Sequence, residues 1–249
     1  MGPYGVSSDD TFPSQNLEIR TWCELDAVRE YLGGNYILMN DLNSTTLGYE
    51  ELASPTANGG KGWQPIGFLE VYGPTCGWSG SLTWYGLTGT FDGQGYKIRD
   101  LFINRPDEEE GCAGLFGLVL NGGIIKDIGV VNVTVTGYED VGGLVGFNQG
   151  TVSNSYSTGN VTGYEDVGGL VGLKLSGIVS HSFWDTETSR QPTGWLDIGT
   201  GKNTTEMQDI ATFSGAGWNI TTVAPGEIND AYTWNIIDKQ TYPFLSWEL

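Results

Sequence analysis

A repeated hexapeptide constrains the fold of this chain more than any other feature. The sequence Val-Gly-Gly-Leu-Val-Gly occurs at residues 141–146 and again at 167–172, and both copies follow Thr-Gly-Tyr-Glu-Asp. Looser copies begin at Cys112 and Leu87. A second series recurs at equal spacing and starts at Ile98, Ile125, Val152 and Val179. One unit holds two short β-branched stretches broken by glycines and cannot bury its apolar positions alone, so the repeat predicts a solenoid.

Stacked coils of a solenoid pair each strand with the strand of the next coil, about 4.8 Å away, and form one continuous core. We therefore predict an all-β fold, a single-stack parallel β-helix built from the 27-residue coils. The second series forms one predicted inward column of stacked side chains. Another predicted column contains Thr90, Leu115, Leu144 and Leu170, with Phe91, Phe116, Val145 and Val171 beside it.

The N-terminal end of such a stack exposes strand edges and needs a cover. Residues 21–24, Thr-Trp-Cys-Glu, form a capping-box sequence, followed by apolar residues at helical spacing. This pattern predicts a helix over residues 22–32 that covers the end of the core. A first strand is predicted at residues 36–39.

The C-terminal cover begins with a predicted helix over residues 206–212, which Thr204 or Thr205 can cap. Six of the nine tryptophans lie outside both the repeats and the insertion, and we expect them to seal the ends of the core. The predicted divisions are 1–16 (a flexible leader or residues added for expression), 17–86 (N-terminal cap, first coil and an insertion), 87–185 (solenoid repeats) and 186–249 (C-terminal cap).

The charge balance excludes several classes of partner. Thirty acidic residues face 11 basic ones, for a net charge of −19, so we expect neither nucleic acid nor anionic lipid as a partner. No apolar run approaches the roughly 20 residues that span a bilayer, and no signal-peptide pattern opens the chain, so we expect no membrane insertion of this segment. The three cysteines, Cys23, Cys76 and Cys112, can form at most one disulfide within the chain. They show no Cys-x-x-Cys spacing, which excludes a zinc knuckle.

Residues 141–163 closely resemble the GLUG repeat of large secreted and surface proteins of bacteria and archaea, among them adhesin-like and IgA-protease-type chains. Residues 89–98 are similar to the first coil of such proteins, and 217–220 with 242–247 are similar to their closing segment. The resemblance implies a right-handed parallel β-helix at the cell surface, within a larger multidomain protein. It implies no activity, so we expect a structural or adhesive element whose partners are extracellular glycan or protein polymers.

An insertion of 19 residues between Gly67 and Leu87 departs from the family pattern. Its aromatic side chains are candidate ligand-binding residues: Tyr72, Trp78, Trp84 and Tyr85. Flat rings of this kind stack on sugar faces, and long loops carry function more often than scaffolds do. In the alternative interpretation, the rings fold back on the solenoid wall.

A purely structural role, as a spacer or lattice element, is a further alternative. It draws mild support from N-glycosylation sequons at Asn43, Asn132, Asn160, Asn203 and Asn219, which suit a secreted glycoprotein.

An enzymatic alternative rests on carboxylates in one predicted column, because parallel β-helices also host polysaccharide lyases and hydrolases. Asp100, Asp127, Asn154 and His181 follow the second series at equal spacing. Asp100 and Asp127 on adjacent coils are then about 5 Å apart, the separation of a retaining glycosidase pair. Since the column continues into an amide and an imidazole, we interpret it as a structural ladder. We expect no catalytic residue and no required cofactor.

Acidic residues gather on one edge of the predicted stack. The 26-residue repeat places Glu139 over Glu165 and Asp140 over Asp166, and Glu110 aligns with Glu139 from the coil before. Like charges about 5 Å apart cost about 1 kcal/mol even in water, so the side chains either splay into solvent or hold cations between them. Calcium accepts irregular carboxylate geometry. These five residues are therefore a candidate Ca²⁺ site, and the alternative is a solvated edge that only aids solubility.

Overall fold

The computed structural model describes residues 16–72, 81–107, 111–193 and 198–245. This part of the chain is mostly β, with few and short helices. Strands from successive repeats pair in parallel within stacked sheets. The arrangement is compatible with the predicted β-helix.

Six parallel strands, numbered along the chain, form the first sheet. In order they are β1 (Leu17–Ile19), β2 (Asn35–Leu38), β5 (Thr90–Asp92), β9 (Ile124–Lys126), β13 (Thr151–Ser153) and β17 (Ile178–Ser180). Their registers place Tyr36, Phe91, Ile125, Val152 and Val179 in one column, and these side chains belong to or pack against the main core. The predicted column of Ile98, Ile125, Val152 and Val179 is thus confirmed for its last three members.

The second sheet contains β6 (Lys97–Arg99), β7 (Phe102–Asn104), β10 (Gly129–Thr136), β14 (Tyr156–Thr162), β18 (Phe183–Asp185) and β19 (Thr200–Lys202). Both β6 and β7 pair with β10, so the one long strand of this coil lies beside two short strands of the coil before it. Within β10 the buried Val133 and Val135 alternate with the exposed Asn132 and Thr134. This period of two is what a strand with one buried face requires.

The third sheet contains β8 (Phe116–Val119), β12 (Val145–Asn148) and β16 (Val171–Lys174), and a separate pair joins β11 (Glu139–Gly142) to β15 (Glu165–Gly168). Phe116, Val145 and Val171 are in register. Leu115, Leu144 and Leu170 are fully buried in the same core. The second predicted column is confirmed for these six residues.

The predicted position of Ile98 is wrong. Ile98 lies one full repeat length before Ile125, yet it pairs with Val130 in the second sheet. The corner between β5 and β6, residues 93–96, is two residues longer than the matching corner between β9 and β10, residues 127–128. Because this coil contains inserted residues, equal spacing along the chain no longer means an equal position in the coil.

The predicted positions of Thr90 and Phe91 are also wrong. Both lie in β5 of the first sheet, where Thr90 pairs with Ile124, and not in the third sheet with Leu115. The segment that resembles the hexapeptide crosses a corner, since Leu87 still bridges to Val119 of the third sheet. The resemblance in sequence therefore spans two faces of the structure.

The N-terminal cap follows β1, a strand that the sequence did not predict. Helix α1 (Trp22–Asp26) begins at Thr21, whose hydroxyl oxygen accepts a hydrogen bond from the Glu24 amide at 3.1 Å. A 3₁₀ segment (Ala27–Glu30) continues it, so the predicted helix is confirmed in shortened form. A second short helix, α2 (Tyr49–Leu52), and a 3₁₀ segment (Ala57–Gly60) lie between β2 and the insertion.

The C-terminal cap contains α3 (Thr186–Ser189), α4 (Thr204–Met207), α5 (Ile210–Gly215), β20 (Ile220–Thr222) and β21 (Trp234–Ile236). The predicted single helix is two helices, and Asn203, not Thr204 or Thr205, caps the first through a capping box with Glu206. The carboxylate of Asp209 caps the second. A capping residue inside the predicted span therefore divides it.

A second apolar cluster joins the cap to the second sheet and includes Tyr156 of β14 with Phe213, Trp218 and Trp234 of the cap. Five tryptophans are buried, namely Trp22, Trp63, Trp184, Trp218 and Trp234. The expected burial is thus confirmed for Trp22, Trp63, Trp218 and Trp234, which lie outside the repeats, while Trp184 lies in β18 of the repeats and Trp84 is 39% exposed.

Candidate functional site

The described part of the insertion is a pair of antiparallel strands, termed the hairpin, and it interrupts a segment that lies beside β8 of the third sheet. Its strands are β3 (Phe68–Tyr72) and β4 (Ser81–Tyr85). Ile66 bridges to Phe116 and Leu87 bridges to Val119, both in parallel. The two ends of the interrupted segment therefore keep the spacing of β8, and residues 68–85 form an added excursion from it.

Two aromatic rings lie together at the base of the hairpin. Phe68 is directly opposite Tyr85, and their rings stack with centroids 4.8 Å apart and planes 21° apart. Phe68 is 52% exposed and Tyr85 is 37% exposed. Tyr85 is therefore placed as a binding residue requires, with an exposed ring held by a neighbour.

Trp84 points to the other side of the hairpin, since neighbouring strand residues face opposite ways. Its ring lies 5.1 Å from that of Phe147 in β12. Phe147 and Leu118 are buried but lie outside both core clusters, and Gly86 at the hairpin base is close to Leu118. Trp84 thus packs on the solenoid wall, as the alternative interpretation expects, while part of its ring stays exposed.

The remaining aromatic candidates are only partly placed. Tyr72 ends β3 opposite Ser81. Trp78 lies outside the described residues. Phe68 was missed as a candidate because the insertion was treated as a loop. The alternation of apolar and polar residues at both ends of the insertion could have shown that Phe68 faces Tyr85 across a hairpin.

The predicted acidic edge is present in the described coils. Glu139 and Glu165 are in register, and both side chains are exposed. The rings of Tyr138 and Tyr164 stack beside them, with centroids 5.3 Å apart. Glu110 lies outside the described residues. The edge therefore repeats a Tyr-Glu-Asp unit from one coil to the next.

Asp140 differs from its acidic neighbours because it is buried, with 9% exposure. Its Oδ2 accepts a weak hydrogen bond from the Cys112 thiol at 3.4 Å, and its Oδ1 has no hydrogen-bond partner among the described residues. Burial, with smaller contributions from Glu139, Asp166 and Glu165, raises the pKa of Asp140 to about 6. Burial and the nearby Asp140 also raise the pKa of the Cys112 thiol, so this thiol is not an activated nucleophile.

The described part of the chain contains neither a grouped set of metal ligands nor a disulfide between Cys23 and Cys112. Within residues 16–72, 81–107, 111–193 and 198–245, no three His, Cys, Asp or Glu side chains are grouped so that they could hold a metal ion. Cys23 and Cys112 are both free thiols, and Cys76 lies outside these ranges. The Ca²⁺ site stays a prediction.

The predicted ladder of Asp100, Asp127, Asn154 and His181 is wrong at its first member. Asp127, Asn154 and His181 follow paired strands of the first sheet and share a left-handed backbone conformation, with φ of 53°, 46° and 49°. The Asn154 amide donates to Asp127 Oδ1 at 3.2 Å.

Asp100 instead follows β6 in the second sheet, where it accepts a hydrogen bond from the Asn132 amide at 2.7 Å. The longer corner at residues 93–96 moves Asp100 to another edge of the stack. Asp100 and Asp127 therefore do not form the carboxylate pair that a glycosidase of this kind would need.

Comparison with known proteins supports the resemblance seen in the repeats. Residues 137–162 match the family model of the GLUG motif, so the chain carries this motif. It is 33% identical over 127 residues to "Halomucin" of Haloquadratum walsbyi, an alignment that covers 51% of this chain and 1% of that protein. It is 41% identical over 141 residues to "Putative Gly-rich membrane protein" of Evansella cellulosilytica, covering 55% of this chain and 14% of that protein.

The chain thus spans only a small part of the length of these two relatives. No solved structure matches it. Among the described residues there is no helix with the length and apolar character needed to cross a membrane.

Proposed function

We propose that this chain is a non-enzymatic module of an extracellular surface protein, folded as a single-stack, right-handed β-solenoid. The observation that carries the proposal is the GLUG motif at residues 137–162 within a stack of parallel sheets. The similarity to a protein whose name describes a Gly-rich membrane protein supports a surface location. The acidic surface suits an exposed, soluble position in salt.

The contact of this module with an extracellular polymer, glycan or protein, is made by the base of the hairpin. Phe68 and Tyr85 present a stacked pair of exposed rings, and the contact of Trp84 with Phe147 fixes the hairpin against the solenoid wall. A ring that is exposed but already ordered loses little conformational entropy when it binds, which favours a role in recognition.

The surface location can be tested on intact cells of the source organism. An antibody raised against this chain should label unpermeabilised cells, and external protease should remove the label. Labelling that requires permeabilisation contradicts the proposal.

The hairpin contact can be tested with the envelope fraction of the same cells. Tyr85→Ala should reduce the retention of the purified chain by about tenfold, the loss expected for one good aromatic contact of about 1.4 kcal/mol. Tyr164→Ala is the matched control, because Tyr164 is also exposed and also stacked on an aromatic partner. Equal retention of both variants and the wild type contradicts a hairpin contact.

The enzymatic alternative has lost its geometric support, since Asp100 and Asp127 lie on different edges. We expect no product from pectin, alginate or similar polymers. Product that disappears in Asp127→Asn, with the fold unchanged, overturns the non-enzymatic proposal.

A further inference from the structure

A groove lies where the solenoid meets the C-terminal cap. One wall is the β5–β6 corner with Lys126 and Asp127 of the next coil, and the other is formed by residues between Asn219 and Thr233. Its volume of about 810 Å³ falls in the range of roughly 300–1,000 Å³ typical of small-molecule sites. Its described lining residues include none from the hairpin or the acidic edge.

The two walls of this groove approach each other closely at the backbone of Gly95. The Gly95 amide donates to the Asp127 carbonyl at 2.7 Å, with a φ of +86° that favours glycine. A Cβ at Gly95 would lie 2.1 Å from the Thr233 carbonyl oxygen of the cap. The two extra residues of this corner thus carry it against the cap, which shapes the groove.

The solenoid wall presents fixed carboxylates. The Lys126 ammonium donates to Asp92 Oδ2 at 2.5 Å and lies 3.5 Å from Asp127 Oδ2. The backbone amide of Gln94 donates to Asp92 Oδ1 at 2.9 Å. The three charged side chains are partly exposed and line the groove. Carboxylates oriented in this way accept hydrogen bonds from hydroxyl groups without reorganisation.

The cap wall adds an aromatic ring and further polar groups. Tyr232 is 37% exposed, and Asp230 and Asn219 are exposed along the same wall. The charged residues that line the groove are three carboxylates, Asp92, Asp127 and Asp230, and one ammonium, that of Lys126. The groove is therefore acidic, with apolar residues such as Ile228 and Leu245 among its polar ones, and it is flanked by a ring with an apolar face.

We propose that this groove binds a short stretch of a neutral glycan. The carboxylates and amides match a row of sugar hydroxyls, and the Tyr232 ring matches the apolar face of a pyranose. The excess of carboxylates repels polyanions, which selects against uronate polymers. This extends the proposed surface function to a second site that is independent of the hairpin.

Affinity gel electrophoresis tests the proposal with dextran, laminarin and mannan as neutral probes and polygalacturonate as the anionic probe. At least one neutral polymer should retard the wild-type chain, and polygalacturonate should not. Tyr232→Ala should raise the dissociation constant for that polymer about tenfold, a loss of about 1.4 kcal/mol of binding free energy. Asp230→Asn should weaken it several-fold.

Matched variants separate this site from the hairpin. Tyr164→Ala, a substitution of another exposed tyrosine, should leave the retardation unchanged. The proposal is overturned if no neutral polymer retards the chain, or if Tyr232→Ala and Asp230→Asn bind as the wild type does. Loss of retardation in Tyr85→Ala alone would assign glycan binding to the hairpin instead, with the groove proposal overturned and the hairpin contact supported.

Discussion

The coils after residue 111 and the coils before residue 107 use the same sheets but very different lengths of chain. In the later coils, partner strands of the first sheet start one repeat length apart, at Ile124, Thr151 and Ile178. In the earlier coils, Asn35 pairs with Thr90, a far longer interval along the chain. Both regions keep parallel register. The register is thus carried by the paired strands, and the connections can grow because a longer surface loop costs little.

The packing around a glycine depends on its position in the coil and not on the region in which it lies. In the later coils a Cβ at Gly172 would lie 2.4 Å from the Val141 nitrogen. In the earlier coils Gly59 and Gly60 have open space around them. Close packing is not confined to the later coils, since a Cβ at Gly89 would lie 1.9 Å from the Gly34 carbonyl oxygen. Glycines where coils stack are therefore tightly packed in both regions, and the open glycines lie in a connection between strands.

The largest expected effect comes from adding a methyl group in a regular coil. A Cβ at Gly142 would lie 2.1 Å from the Val145 oxygen and 2.8 Å from the Gly172 nitrogen. Because backbone atoms of two coils must move, Gly142→Ala should lower the free energy of unfolding by about 4 kcal/mol. Urea unfolding followed by circular dichroism measures it. Gly215→Ala, in open space at the end of α5, should change stability by no more than about 1 kcal/mol. Equal effects would show that the coils are not in close contact.

The next effect is a pH dependence in the later coils. The pKa of Asp140 is raised from 3.8 to about 6, so its ionised form destabilises the fold above pH 6. This penalty is relieved as the pH falls through 6 towards 3.8. At pH 7, Asp140→Asn should therefore increase the free energy of unfolding by up to about 3 kcal/mol, and the gain over the wild type should vanish near pH 4.

The matched control is Asp166→Asn, at the same left-handed position one coil later but less buried. It should change the free energy of unfolding at pH 7 by much less, because the Asp166 side chain is less buried. A constant difference between wild type and Asp140→Asn from pH 4 to pH 8 contradicts the buried, ionisable carboxyl.

A smaller effect is expected from removing the hairpin of the earlier coils. Joining Gly67 directly to Gly86 leaves the bridges of Ile66 and Leu87 in register with β8. The shortened chain should keep its β circular dichroism and lose about 2 kcal/mol, because Leu118 and Phe147 lose their cover. Trp84→Ala alone should cost about 1 kcal/mol, the scale of one aromatic pair. A shortened chain that fails to fold would show that the hairpin is part of the coil.

These regions also mark how far the sequence could predict the structure. In the later coils, the placement of Val145, Val171, Val152 and Val179 follows from the repeat alone, because spacing and position coincide there. The repeat places Ile98 and Phe91 wrongly, because residues inserted in their coil change their position in the stack while their local sequence still resembles the repeat. A periodic pattern carries no information on where, within an irregular coil, the extra residues lie.

The candidate sites show the same limit. The register of Glu139 with Glu165 could be predicted from the 26-residue repeat. The pairing of Phe68 with Tyr85 had a weaker signal, the alternation at both ends of the insertion. The groove beside Tyr232 depends on the position of the cap on the β5–β6 corner. Contacts between non-repeated segments depend on tertiary packing, which leaves no periodic signal in the sequence.

The smallest expected effect concerns the acidic edge of the later coils. Because the side chains of Glu139 and Glu165 are exposed, they can splay into water, where their repulsion is only about 1 kcal/mol and salt screens it. We therefore expect calcium and sodium at equal ionic strength to raise the melting midpoint by the same small amount over EDTA. Thermal unfolding followed by circular dichroism gives both midpoints. A calcium site predicts a different result: millimolar calcium would raise the midpoint by several degrees, sodium would not, and Glu139→Gln with Glu165→Gln would abolish the difference. That outcome would make the edge a ligand for Ca²⁺ and not merely a solvated surface.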